Sequence, residues 1–156
     1  MLSLKQFVSS EFCLNCRGCC IFKNDLWRPH LLDHEKQALA KNDVQTRKKG
    51  ESLVCEFLIM EKHECRIYDK HPLECRLYPF LLVSTDNNAC GLAAHLACPY
   101  VQNRLDSDEF NRYVAYLTNE WAKDAGVLKI LKEQKRIFRS YPKEELKLLK
   151  EDIFKS

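Results

Sequence analysis

The stretch CLNCRGCC, Cys13 to Cys20, places four thiols within eight residues and ends with two of them adjacent. No other feature limits the folds open to this chain so tightly. A C-x2-C turn brings two sulfurs within reach of one ion, whereas neighbouring cysteines point in different directions. A disulfide staple, a redox couple and a metal cradle are all compatible with that spacing alone. The other cysteines are Cys55, Cys65, Cys75, Cys90 and Cys98, so all nine precede Tyr100.

The rest of the chain narrows the choice. The segment MLSLKQFVSSEF has no apolar run of the length a secretory signal or membrane span needs, so the expectation is a cytoplasmic protein without a membrane partner. Thiols in that compartment are kept reduced, and dense cysteine there points to metal or redox chemistry rather than structural disulfides. A lone cysteine is often a small buried hydrophobe, which suits Cys90 but not four thiols in eight residues. Thiol–disulfide exchange by Cys13 and Cys16 would need a thioredoxin-like βαβ setting, and the sequence does not supply one.

With 156 residues, 46% of them apolar, the chain can bury the core of one compact domain. Its formal charge of +3 is spread over both signs and leaves no nucleic-acid footprint. Between Lys123 and Ser156 ten basic residues face six acids, but the acids are interleaved at helical spacing, as on a solvated helix face. Four glycines leave little material for a phosphate-binding turn, and there is no Ser-centred elbow or dinucleotide fingerprint. Any enzymatic activity would therefore depend on a bound metal.

The chain changes character near residue 100, and the expected division is a cysteine-rich region, 1–100, followed by a helical extension, 101–156, in the same compact domain. In the first part, DHEKQALAKN reads as a short helix capped by Asp33. VCEFLIM and ECRIY read as a hairpin around EKH, and YPFLLVS with GLAAHLA as a second one. HPLECR reads as one helical turn opened by Pro72. In the second part, Asp106 and Glu109 suggest a capping box for a helix carrying Phe110, Tyr113, Val114, Leu117 and Trp121 on one stripe and ending at Gly126. VLKILKEQKRIF and PKEELKLLKEDIF read as two further helices, the last opened by Pro142 with Leu146, Leu149 and Ile153 inward. The expected class is α+β: a small metal-stapled domain of short hairpins and helical turns, with about three C-terminal helices packed on it.

CLNCRGCC, then CEFLIMEKHECRIYDKHPLECRLYP, then ACPY, resembles the CxxCxxCC cysteine-cluster family, also called the YkgJ family and described as a zinc- or iron-chelating domain. The resemblance runs from Cys13 to Cys98 and includes a Cys-x-Phe-Leu, a Cys-x-Ile-Tyr and a Pro-x-x-Cys-Arg-x-aromatic-Pro in order. It departs from the family's usual pattern at His71 and Tyr78, neither a thiol. It implies eight metal ligands, Cys13, Cys16, Cys19, Cys20, Cys55, Cys65, Cys75 and Cys98, and leaves Cys90 outside the set.

Thiolates are soft donors that favour zinc, iron–sulfur clusters or copper(I), and a cation offsets their charge. Eight would fill two tetrahedral zinc sites, with Zn–S bonds of about 2.3 Å. They would equally hold one 4Fe-4S cluster with thiols left over, the C-x2-C-x2-C head and Cys98-Pro99 being familiar cluster ligands. Zinc sites of four thiolates keep excess negative charge, so Arg17, Arg66 and Arg76, each beside an implied ligand, are candidate donors to the sulfurs. His63, His71 and His95 lie between cysteines and could each replace one, while His30 and His34 flank the first helix. The leading expectation is a metal-binding module, with a metal ion as its partner and a protein partner unidentified. The resemblance also carries an alternative, an iron–sulfur oxidoreductase, electron carrier or methylase-related enzyme.

Overall fold

Short apolar runs broken by proline and glycine cannot build long elements, and in the first half of the chain they build strands of two to four residues. The computed structural model describes residues 2–8, 20–62 and 64–155. These divide into two compact units, one running from Val8 to Tyr78 and the other formed by Leu2–Phe7 together with the chain from Pro79 onward. Among the described residues, no helix is long and apolar enough to cross a membrane.

In the first unit, β1 (Ile21–Phe22), β2 (Thr46–Lys49) and β3 (Ser52–Cys55) form an antiparallel sheet with β3 in the middle. Ile21 faces Val54, and Thr46 faces Cys55. The β2–β3 turn is Gly50-Glu51, with Gly50 at a φ of 63°, the left-handed region that favours glycine. β4 (Leu58–Ile59) and β5 (Glu64–Cys65) make the hairpin expected around EKH, but Val54 and Cys55 belong to the neighbouring sheet instead. Phe22, Leu31, Val44, Cys55 and Phe57 form the apolar cluster beneath these strands.

α1 (Asp33–Leu39) starts one residue earlier than an Asp33 cap requires. Leu32 is the cap residue, and its amide donates to Glu35 Oε1 at 2.9 Å, so the carboxylate three residues on bonds back to the cap residue. α2 (Leu73–Leu77) is the turn expected after Pro72.

The second unit has longer elements. β6 (Phe80–Ser84) and β7 (Cys90–His95) form the expected hairpin, with Phe80 opposite Ala94 and Ser84 opposite Cys90. α3 (Pro99–Arg104), which was not expected, begins with proline at its first position, where the missing amide costs nothing. α4 (Asp108–Asn119) is capped by Ser107, whose hydroxyl accepts from the Phe110 amide at 3.2 Å, and not by Asp106, which sits at a φ of 61°. α4 stops seven residues before Gly126, giving way to a 3-10 turn, Trp121–Lys123. Gly126 lies instead in the first turn of α5 (Ala125–Glu133), because the Asp124 carboxylate accepts from the Gly126 and Val127 amides and restarts the helix there.

The last expected helix is a strand. After a 3-10 turn at Lys143–Glu145, β8 (Leu146–Lys150) pairs with β7 as the edge of the sheet. All six residues of β7 are buried, and the amides and carbonyls along its second side need partners. That demand outweighs the weak helical preference of Leu-Lys-Leu-Leu-Lys, at the cost of leaving Leu148 55% exposed. Gly91 is part of the same fit: a Cβ there would lie 2.7 Å from the Lys150 carbonyl oxygen and 2.8 Å from that of Glu151.

The stripe expected on α4 is the heart of this unit's core. Phe110 and Leu117 are 1% exposed, and Phe7, Phe80, Phe110 and Tyr113 pack their rings together at centroid distances of 5.0–6.0 Å. Leu2–Phe7 is tied in by main-chain bonds: Trp121 Nε1 donates to the Ser3 carbonyl at 3.1 Å, and the Lys5 amide donates to the Tyr116 hydroxyl at 3.1 Å. Of the second expected helix, VLKILKEQKRIF, α5 covers only the part up to Glu133, with Val127 and Leu131 buried and Ile130 half-buried, and Ile137 is buried in a 3-10 turn, Lys135–Ile137.

Candidate metal centre

β1, β3 and β5 carry three of the implied ligands toward one place. Cys20 precedes β1, and its carbonyl accepts from the Cys55 amide at 2.9 Å, so the two cysteines are opposite one another across the sheet. Cys65 ends β5 opposite Leu58. Cys20 and Cys65, both half-buried, pack against the cluster that contains Cys55. Three chain segments that are distant in sequence thus each place a cysteine in or against one apolar cluster.

Cys75 sits mid-way along α2, half-buried, its amide bonded to the Pro72 carbonyl at 3.0 Å. The next residue, Arg76, is 8% exposed. Burial pushes the pKa of its guanidinium down, and the negative charges of Glu35 and Cys75 push it back up. Cations next to an implied ligand therefore differ in kind. Arg76 is buried beside Cys75, whereas exposed Arg66 donates from Nη2 to the Glu56 carbonyl at 2.7 Å and lies over the Phe57 ring.

Cys98, in the second unit, is buried and caps α3, with its amide donating to the His95 carbonyl at 3.3 Å and its carbonyl accepting from Gln102. Cys90 is at the other end of β7 from His95, and five residues of strand separate those ends by about 16 Å. Burial raises the Cys90 pKa, which favours the neutral thiol over the thiolate a metal requires.

The histidines occupy other settings. His71 stacks on Tyr68 with ring centroids 4.6 Å apart, and burial depresses its pKa to about 4, so it is neutral at pH 7. His95 Nε2 is 3.7 Å from Glu145 Oε1. His30 contributes a main-chain amide to Glu74.

Cys13, Cys16, Cys19, Arg17 and His63 lie outside the described residues. Among the described residues, no group of three or more histidine, cysteine or carboxylate side chains is arranged to hold an ion. Cysteine thiolates such as those of Cys20, Cys55 and Cys65 suit zinc or iron by donor chemistry.

The model of a family named CxxCxxCC, described as "Putative zinc- or iron-chelating domain", matches residues 12–109, more than half of the chain. The chain belongs to the CxxCxxCC family. Searches of curated proteins and of solved structures give no match. The family match takes in every cysteine from Cys13 to Cys98, including Cys90, and ends in the first turn of α4.

Sequence reasoning did not find Glu35 and Glu74, whose carboxylates join the segment carrying Cys75 to the start of α1. For Glu35 a signal exists, a carboxylate three residues after the cap position. For Glu74 there is none, because its partner is a main-chain amide 44 residues away.

Proposed function

We propose that this chain chelates zinc through two four-thiolate sites built from Cys13, Cys16, Cys19, Cys20, Cys55, Cys65, Cys75 and Cys98. The observation that carries this reading is the delivery of Cys20, Cys55 and Cys65, from three separate segments, to one cluster. Val or Ala would pack against that cluster as well as Cys, so the choice of Cys at all three positions points to a use for their thiols. The donor count favours mononuclear sites: eight thiolates match two tetrahedral ions, whereas one cubane cluster uses four and leaves four unassigned. The metal then staples a region whose strands are too short to stand alone. Storage, delivery or support of a protein-binding surface are the roles open to such a module.

Protein purified without oxygen from cells supplied with excess iron is expected to be colourless, with close to two zinc ions per chain. A brown preparation with iron and acid-labile sulfide in cluster proportions would replace this reading with the iron–sulfur one, an electron carrier or methylase-related enzyme.

A further inference from the structure

In the first unit, two carboxylates bond main-chain amides across a long gap in sequence. Glu35, in the first turn of α1, is 7% exposed, and both its oxygens are engaged. The Leu32 amide donates to Oε1 at 2.9 Å, and the Leu73 amide, at the start of α2, donates to Oε2 at 2.6 Å. In the opposite direction, the His30 amide, just before α1, donates to Glu74 Oε1 at 3.0 Å. Each helix start therefore lends a carboxylate to the other.

The Leu73 amide, in the first turn of α2, has no partner inside its own helix, and the His30 and Leu32 amides lie just ahead of α1's first turn. A carboxylate satisfies them and also suits the positive end of the helix dipole. α2 has only five residues, too few to hold its shape or direction without outside contacts. Its direction is set by what grips it, and the grip falls on Leu73 and Glu74, immediately before Cys75.

We infer that Glu35 and Glu74 are positioning residues for Cys75, a reciprocal clamp that fixes α2 against the start of α1 and so aims the Cys75 thiolate at its ion. The inference rests on Cys75 being a ligand, as proposed above. Neither carboxylate acts as a ligand itself: both oxygens of Glu35 are occupied by amides, and thiolate sites for a soft ion leave carboxylates outside the coordination shell.

The test is a double-mutant cycle on the full chain, with zinc affinity read by competition against a chromophoric chelator. Glu35→Ala is expected to weaken zinc binding about tenfold or more, the scale on which groups behind a ligand act. In a Cys75→Ser background the same substitution is expected to change nothing further, because the ligand it positions is gone. Glu74→Ala should repeat the pattern more weakly, and it serves as the same cycle if Glu35→Ala does not fold. Equal losses with and without Cys75 would show that the carboxylates support the fold in general, and the clamp's role would be overturned. If Cys75→Ser alone leaves zinc affinity intact, the ligand assignment fails first and takes this inference with it.

Discussion

The two units of this chain are held together on different principles. The second has two five-residue strands and a six-residue strand, a twelve-residue helix and a core of aromatic rings, with Phe80, Phe110, Leu117 and Leu131 at most 1% exposed. The first has strands of two to four residues and a cluster in which one of the five buried members is a cysteine and two more cysteines pack against it. Burial of a large side chain contributes about 1.5–3 kcal/mol, and the second unit has many such side chains on elements long enough to present them together. The first has fewer per segment and substitutes carboxylate–amide bonds, such as those of Glu35, and sulfur. On the function proposed above, the ion joining those sulfurs holds the first unit together, and that dependence would separate the two units.

The largest effect that separates them should come from removing metal. Structural zinc can contribute folding free energy on the order of 10 kcal/mol. A strong chelator is expected to accelerate amide exchange through residues 20–78 while β6, β7 and α4 keep their protection. Retention of full protection in β3 and α2 after the metal is stripped would erase the distinction between the units.

How much of this contrast the sequence shows depends on which forces built each element. The β6–β7 hairpin, α2 after Pro72 and the buried stripe of α4 were legible because each follows from local pattern: apolar runs, a first-turn proline, helical spacing. β2 was not, since Thr46–Lys49 is a polar edge strand in which three of four residues are exposed and only Gly50 marks the turn. β8 was misread as helix because Leu146, Leu149 and Ile153 fit a helical period. The demand of β7 for a second partner, which decides the matter, is a long-range fact. The candidate ligand set came from the family resemblance, whereas the facing of Cys20 and Cys55 depends on strand register. The division at Tyr78, and the capture of Leu2–Phe7 by Tyr113, Tyr116 and Trp121, has no local signature at all.

A smaller effect sharpens the comparison from the side of pH. His71, in the first unit, has a pKa of about 4 in the fold against 6.5 for an ordinary histidine, chiefly through burial. Between those values the unfolded chain binds more protons than the folded one, so stability is full above about pH 6.5 and declines as pH falls toward about 4. The ceiling on that loss is about 3 kcal/mol. His71→Phe keeps a ring to stack on Tyr68 and removes the titration. With both proteins metal-loaded, the shared loss of metal in acid cancels, and the variant is expected to gain on the parent as pH is lowered from 6.5 to 4. Parallel stability curves for the two chains would show that burial of His71 costs nothing in acid.

The central claim is that the family's cysteines hold the ion and that Cys90, the ninth, does not. Metal-to-protein ratios of folded, purified Cys55→Ser, Cys75→Ser and Cys90→Ser variants test it directly. The account predicts that the first two lose close to one ion per chain, or both ions where the sites depend on each other, while Cys90→Ser retains the full complement. A Cys90→Ser protein that loses as much metal as the other two would contradict the ligand set on which the account is built.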